Sequence, residues 1–235
     1  MQKFTSLHRP YASFVMIATL LFFLSASAAS AQTHSDWEGA MQEFEALDLQ
    51  HNYPDESIFF TGSSSIRLWN TLAENMLPYP VIQRGFGGSK MPDLLHYADR
   101  YISGHTFRAL VLFVANDITG NPETDLTPER TAGLFEDFIL KIRDYNRDAP
   151  IFIIQITPTN SRWNVWPKIS RANALIARLC DRYDNVIFIP TKDLFLGETG
   201  RPMDELFRDD RLHLNEKGYA LWTNRIRSYL DPVMQ

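Results

Sequence analysis

The chain has 235 residues, 45% of them hydrophobic and 22% charged, with a formal net charge of −5. That length suits one α/β domain with a sizeable core, and the composition excludes a disordered, collagen-like or repeat protein. The acidic balance repels phosphate backbones, which argues against a nucleic-acid partner.

In chain order, the first thirty residues differ from the rest. Lys3 and Arg9 give a basic start, an apolar run extends from Phe14 to Leu24, and small residues lead to Ala29-Ser30-Ala31. This is the pattern of a secretory signal with an A-x-A cleavage site. Residues 1–31 are therefore expected to be a signal peptide, and the protein to be exported, either periplasmic or secreted. The apolar run is short for a bilayer span, which needs ~20 residues, so no stable membrane span is expected after cleavage. Cys180 is the one cysteine, so neither a lipid anchor near the cleavage site nor an internal disulfide is expected. No linker or composition break follows residue 32, so 32–235 is expected to form a single domain.

A helical pattern covers 36–48, with Trp37, Met41, Phe44 and Leu47 on one face. Five short apolar runs then read as strands buried on both faces: Ile58–Thr61, Val81–Arg84, Leu110–Val114, Ile151–Ile156 and Val186–Pro190. Helical patterns lie between and after them at 64–73, 92–102, 128–145, 167–183 and 216–230. Thr127-Pro128 caps the helix at 128–145, and Asn215 is a natural N-cap for the last. Cys180 falls on the apolar face formed with Ile176, Leu179 and Tyr183, which predicts a buried thiol. Strand–helix alternation predicts a three-layer α/β/α sandwich around a central parallel sheet of about five strands. Open sheets of this kind bind ligands beyond the carboxyl ends of their strands.

The segments after the strands are therefore the candidates for chemistry. The first is Gly62-Ser63-Ser64-Ser65, where a Gly permits a sharp turn and a hydroxyl would open a helix beside free backbone N–H groups. Ser residues at a helix start are also ordinary N-caps. The second is Gly85-Phe86-Gly87-Gly88, a close-approach turn that lacks the Lys-Ser/Thr of a phosphate loop. The third is Val114-Ala115-Asn116-Asp117, in which Asn116 can present a side-chain amide as donor. The last is Asp210-Arg211-Leu212-His213, where the carboxylate can accept from the ring Nδ1–H and leave Nε2 facing a substrate. His34, His51, His96 and His105 lie before strands or in helices and fit this role less well. No second His stands at ligand spacing from His213, so no metal and no cofactor are expected.

Together these four segments, in this order and after these strands, resemble the SGNH/GDSL hydrolase family, whose blocks are a G-D-S-like turn, a Gly turn, G-x-N-D and D-x-x-H. The resemblance spans residues 58–225 and implies a flavodoxin-like SGNH hydrolase fold. It implies Ser64 as nucleophile, His213 as base and Asp210 as the residue orienting it. It also implies an oxyanion hole of the Ser64 N–H, the Gly88 N–H and the Asn116 side chain. Ser63 stands where the family has Asp. Val114 stands where it has Gly, and is expected to narrow or redirect the pocket.

The implied activity is an exported serine esterase for short acyl esters, acetyl foremost, on a small molecule or glycan. Arg162, Trp163 and Trp166, in the loop after the fourth strand, are candidates for binding a sugar or acyl chain; the two Trp residues equally suit packing of the loop onto the sheet. A lysophospholipase or thioesterase of the same fold, a non-catalytic glycan-binding module and a flavodoxin-like phosphate or nucleotide binder are the other readings.

Overall fold

The structure is a computed structural model that describes Met1 and residues 37–234. Residues 2–31 of the expected signal peptide lie outside the described residues, and no described helix is long and apolar enough to cross a membrane.

Five strands form one parallel sheet: β1 (Ile58–Gly62), β2 (Val81–Gly85), β3 (Ala109–Phe113), β4 (Ile151–Ile154) and β5 (Val186–Ile189), in the order β2-β1-β3-β4-β5. Among the described residues, eight α-helices surround it: α1 (Glu38–Gln50), α2 (Ser64–Arg67), α3 (Leu72–Asn75), α4 (Met91–Tyr101), α5 (Pro128–Tyr145), α6 (Trp166–Cys180), α7 (Lys192–Phe195) and α8 (Glu216–Leu230). The apolar runs alternate between two cores, because successive strand residues point to opposite faces. Phe59, Leu110, Leu112, Ile151 and Ile153 pack under α1, α4, α5 and α6. Ile58, Phe60, Val111, Phe152 and Ile154 pack under α2, α3, α7 and α8. This is the expected three-layer sandwich.

The caps behave as the sequence suggests. Thr127 Oγ1 accepts from the Arg130 N–H at 3.1 Å. Asn215 Oδ1 accepts from Lys217 N–H at 3.0 Å and Gly218 N–H at 3.2 Å. One element departs. The helix expected over 64–73 is two short ones, α2 and α3, separated where the fully buried Trp69 turns into the core and stacks on Tyr219 at 5.1 Å. Cys180 is buried, and burial pushes its thiol up to about 12, so it is an inert core residue.

Register sets the site. Gly62 pairs with Gly85 on one side and Phe113 on the other, so three loops leave the sheet at one level. These loops carry Ser64, Gly88 and Asn116.

Candidate active site

Gly62 makes the turn from β1 into α2. Its φ is +143°, and a Cβ there would stand 1.9 Å from the Phe113 carbonyl oxygen. Only glycine meets both conditions. The Ser63 N–H donates to that same carbonyl at 3.0 Å. Ser63 occupies the cap position, yet its side chain makes no cap hydrogen bond. Ser64 is the first residue of α2. Four residues make a negligible macrodipole, so any anion here is met by individual N–H groups of the opening turn rather than by a helix field.

His213 reaches this turn from the other end of the chain. The Arg208 N–H donates to the His213 carbonyl at 2.8 Å and the Arg211 N–H to the Arg208 carbonyl at 2.8 Å. Arg211 closes this loop in the left-handed region at φ 53°. Asp210 lies inside the turn. Its Oδ1 accepts from the N–H groups of Leu212 and His213, both at 2.9 Å, and its Oδ2 lies 2.6 Å from His213 Nδ1. Burial would raise the Asp210 carboxyl, but these bonds from His213 and Leu212 outweigh it and hold the group below its ordinary value. The opposite ring nitrogen, His213 Nε2, lies 2.9 Å from Ser64 Oγ. The helix that follows, α8, is tied to α2 by the Tyr219 hydroxyl, which donates to the Ser65 carbonyl at 2.8 Å.

Asn116 follows β3. Its Nδ2 donates to the Ser89 carbonyl at 2.9 Å, and its Oδ1 accepts from Arg162 Nη2 at 2.7 Å. Arg162 Nη1 donates to the Ala115 carbonyl at 2.7 Å. Val114 is fully buried and packs with Leu110 and Leu112 in the core under α5 and α6. Its side chain is not among the residues lining the pocket, so the expected narrowing does not arise: strand alternation turns position 114 away from the site. Asp117 caps α4 by accepting from the Met91 N–H at 3.2 Å, and burial pushes its carboxyl up to about 7.

Two cavities meet at Ser64, His213, Leu212 and Asn116. One is a small, partly closed pocket of about 20 Å³, whose wall includes Phe113, Thr157, Thr159, Arg162 and Trp222. The other is a wide groove of about 520 Å³ running past Gly88, Arg67 and Glu43. The Thr157 and Thr159 hydroxyls and the Trp222 indole N–H are buried and have no hydrogen-bond partner among the described residues. The sequence reading missed Thr157 and Thr159, although their place just after β4 was the available signal.

Of the three loop candidates, Arg162 lines the pocket and the two Trp residues do not. Trp163 and Trp166 stack on each other at 5.9 Å, with the Arg201 guanidinium 4.7 Å from the Trp163 ring centroid. His105 has a long-range acidic partner: its Nε2 lies 3.2 Å from Asp48 Oδ2. Asp48 also pairs with the buried Arg84, and none of the three lines either cavity beside Ser64.

A model of the GDSL-like lipase/acylhydrolase family matches residues 51–221. Curated protein sequences supply no match. Among solved structures, a Streptococcus pneumonia protein provisionally named a platelet activating factor superposes with a TM-score of 0.71 at 21% identity, covering 87% of this chain and 100% of its own. A GDSL-like lipase from Bacteroides thetaiotaomicron gives 0.67 at 14% identity, covering 82% and 97%. An acetyl xylan esterase gives 0.58 at 21% identity, covering 74% and 99%. At these identities the three likenesses establish the fold.

Proposed function

The chain belongs to the GDSL-like lipase/acylhydrolase family and acts on ester bonds, and we propose that it is a serine esterase that removes short acyl groups, acetyl foremost, from a bulky alcohol such as a carbohydrate. The observation that carries this reading is the position of Ser64 on the border between a small, partly closed pocket and a wide groove. An ester carbonyl at Ser64 Oγ places one substituent on each side. The pocket suits the acyl group and the groove the alcohol. A pocket of that size has no room for a long alkyl chain. That weighs against a lysophospholipase or a long-chain thioesterase. An acetyl xylan esterase shares the fold, which supports the carbohydrate reading.

In this mechanism Ser64 Oγ attacks the carbonyl carbon while His213 Nε2 takes its proton. Asp210 holds the ring tautomer and stabilises the imidazolium. The N–H groups of Ser64 and Gly88 and the Asn116 amide receive the oxyanion; loss of one such donor typically costs about 3 kcal/mol. The intermediate collapses, the alcohol leaves with the His213 proton, and water repeats the sequence to release the acid. No step uses a cofactor or metal, so EDTA is expected to leave turnover unchanged. An intact donor set and base pair favour this over a non-catalytic glycan-binding module. The basic start, apolar run and A-x-A site support export of the chain, with residues 1–31 removed; the mass of the protein recovered from the periplasm or medium tests this.

Hydrolysis of p-nitrophenyl acetate, butyrate and octanoate, beside Ser64→Ala, His213→Ala and Asp210→Asn, tests the activity. Acetate is expected to be turned over fastest, with each substitution costing about 10³-fold or more at unchanged thermal stability. Undiminished turnover in Ser64→Ala would refute the assignment. A preference for octanoate would refute the short-acyl reading alone.

A further inference from the structure

We propose that Arg162 is a positioning residue that fixes and polarises the Asn116 side-chain amide for the oxyanion; this rests on the reading of Ser64 and Asn116 given above. A guanidinium only donates hydrogen bonds and a carbonyl oxygen only accepts them. Arg162 Nη2, at 2.7 Å, therefore fixes one end of the Asn116 amide as Oδ1, and the Ser89 carbonyl, at 2.9 Å, fixes the other as Nδ2. The flipped amide would set donor against donor and acceptor against acceptor. One Nδ2 hydrogen goes to Ser89. The second is left for the groove, where Asn116 stands with Ser64 and Gly88.

Arg162 is itself held. Its Nη1 donates to the Ala115 carbonyl at 2.7 Å, so the fork grips two consecutive residues of the Asn116 loop. It projects from a 3-10 turn, Asn160–Val165, and the neighbouring Ser161 N–H donates to the Arg211 carbonyl at 3.3 Å. The turn thus touches both the Asn116 loop and the loop that carries Asp210 and His213. Burial lowers the guanidinium pKa, and the Asp125 and Asp117 carboxylates act in the opposite direction. A charged donor on Oδ1 draws electron density towards that oxygen and strengthens the N–H at the far end. The gain grows as charge develops on the oxyanion, so it belongs to the chemical step.

The test is inactivation by a fluorophosphonate. Ser64 Oγ bonds to phosphorus, the P–F bond breaks, fluoride leaves, the proton passes to His213, and the phosphonyl oxygen takes the oxyanion position. The rate constant kinact and the half-saturation constant KI are measured for wild type, Ser64→Ala, Arg162→Gln, Arg162→Lys, Asn116→Ala, and each Arg162 variant combined with Asn116→Ala. A melting curve accompanies each. Arg162→Gln is expected to lower kinact about tenfold or more with KI within about twofold, because the lost interaction is made in the transition state. Arg162→Lys keeps the charge but not the fork and should fall between. In the Asn116→Ala background the effect should shrink to below about twofold, since the two residues act as a unit. A loss confined to KI, or one of equal size in both backgrounds, would overturn the proposal and make Arg162 a substrate contact or a structural residue. Should Arg162→Gln fail to fold, Arg162→Lys carries the same comparison. A wild type that resists labelling, or a Ser64→Ala protein that is labelled, would instead overturn the serine-esterase reading.

Discussion

At the scale of single residues, the informative groups are those that lack partners. Thr159 is 7% exposed and its hydroxyl bonds to nothing among the described residues. Valine has the same shape without the hydroxyl. Thr159→Val is expected to raise stability by about 1 kcal/mol, since it removes an unsatisfied buried polar group. It should also shift kcat/KM towards butyrate relative to acetate. Chemical denaturation and the two p-nitrophenyl esters measure both effects in one preparation. A loss of stability would mean that the hydroxyl is satisfied in solution.

At the scale of elements, the turn from β1 into α2 is the most constrained piece of backbone beside the site. Gly62→Ala would drive a methyl group into the Phe113 carbonyl at a φ that alanine resists. A loss of about 3 kcal/mol or more is expected, visible as a lowered urea midpoint. Asn215→Ala is the milder counterpart. Asn215 caps α8 through Oδ1 and ties the preceding loop through Nδ2 to the Glu205 and Phe207 carbonyls, both at 2.9 Å. Its loss should cost about 1–2 kcal/mol. The same elements mark what the sequence disclosed. Strands covered on both faces are unbroken apolar runs, so all five were legible, as were the long amphipathic helices and the caps at Thr127 and Asn215. The break after Arg67 was not, because only tertiary packing draws Trp69 into the core. Nor were α7 and the 3-10 turn at 160–165, which are too short to show a period. Ser64, Asp210 and His213 were legible because each lies in a local motif. The contacts of Arg162 with Asn116 and of His105 with Asp48 join residues far apart in sequence, and no local pattern encodes them.

At the scale of the whole molecule, one buried carboxyl couples the site to global stability. Asp117 is 1% exposed, and its group is pushed up to about 7 from 3.8. Between those values the unfolded chain has released a proton that the folded chain still holds, so stability falls as pH rises through this window. Asn at position 117 cannot ionise. Asp117→Asn should therefore be more stable than wild type by roughly 1–4 kcal/mol at pH 8, with a smaller gap at pH 5. Urea melts at the two values check the sign; a gap that narrows with rising pH would exclude burial as the dominant influence on this group.

Ser64 and His213 touch at 2.9 Å although 149 positions separate them along the chain. A growing polypeptide displays its hydroxyl long before its imidazole exists, and the two join only when α8 docks against α2. Until then the chain carries a serine no more reactive than any other. On the proposed mechanism, reactivity at Ser64 is thus a clock for the docking of α8 against α2. A fluorophosphonate pulsed into a refolding mixture should tag only molecules in which the C-terminal helix has seated, and the labelled fraction against time would give the rate of that step.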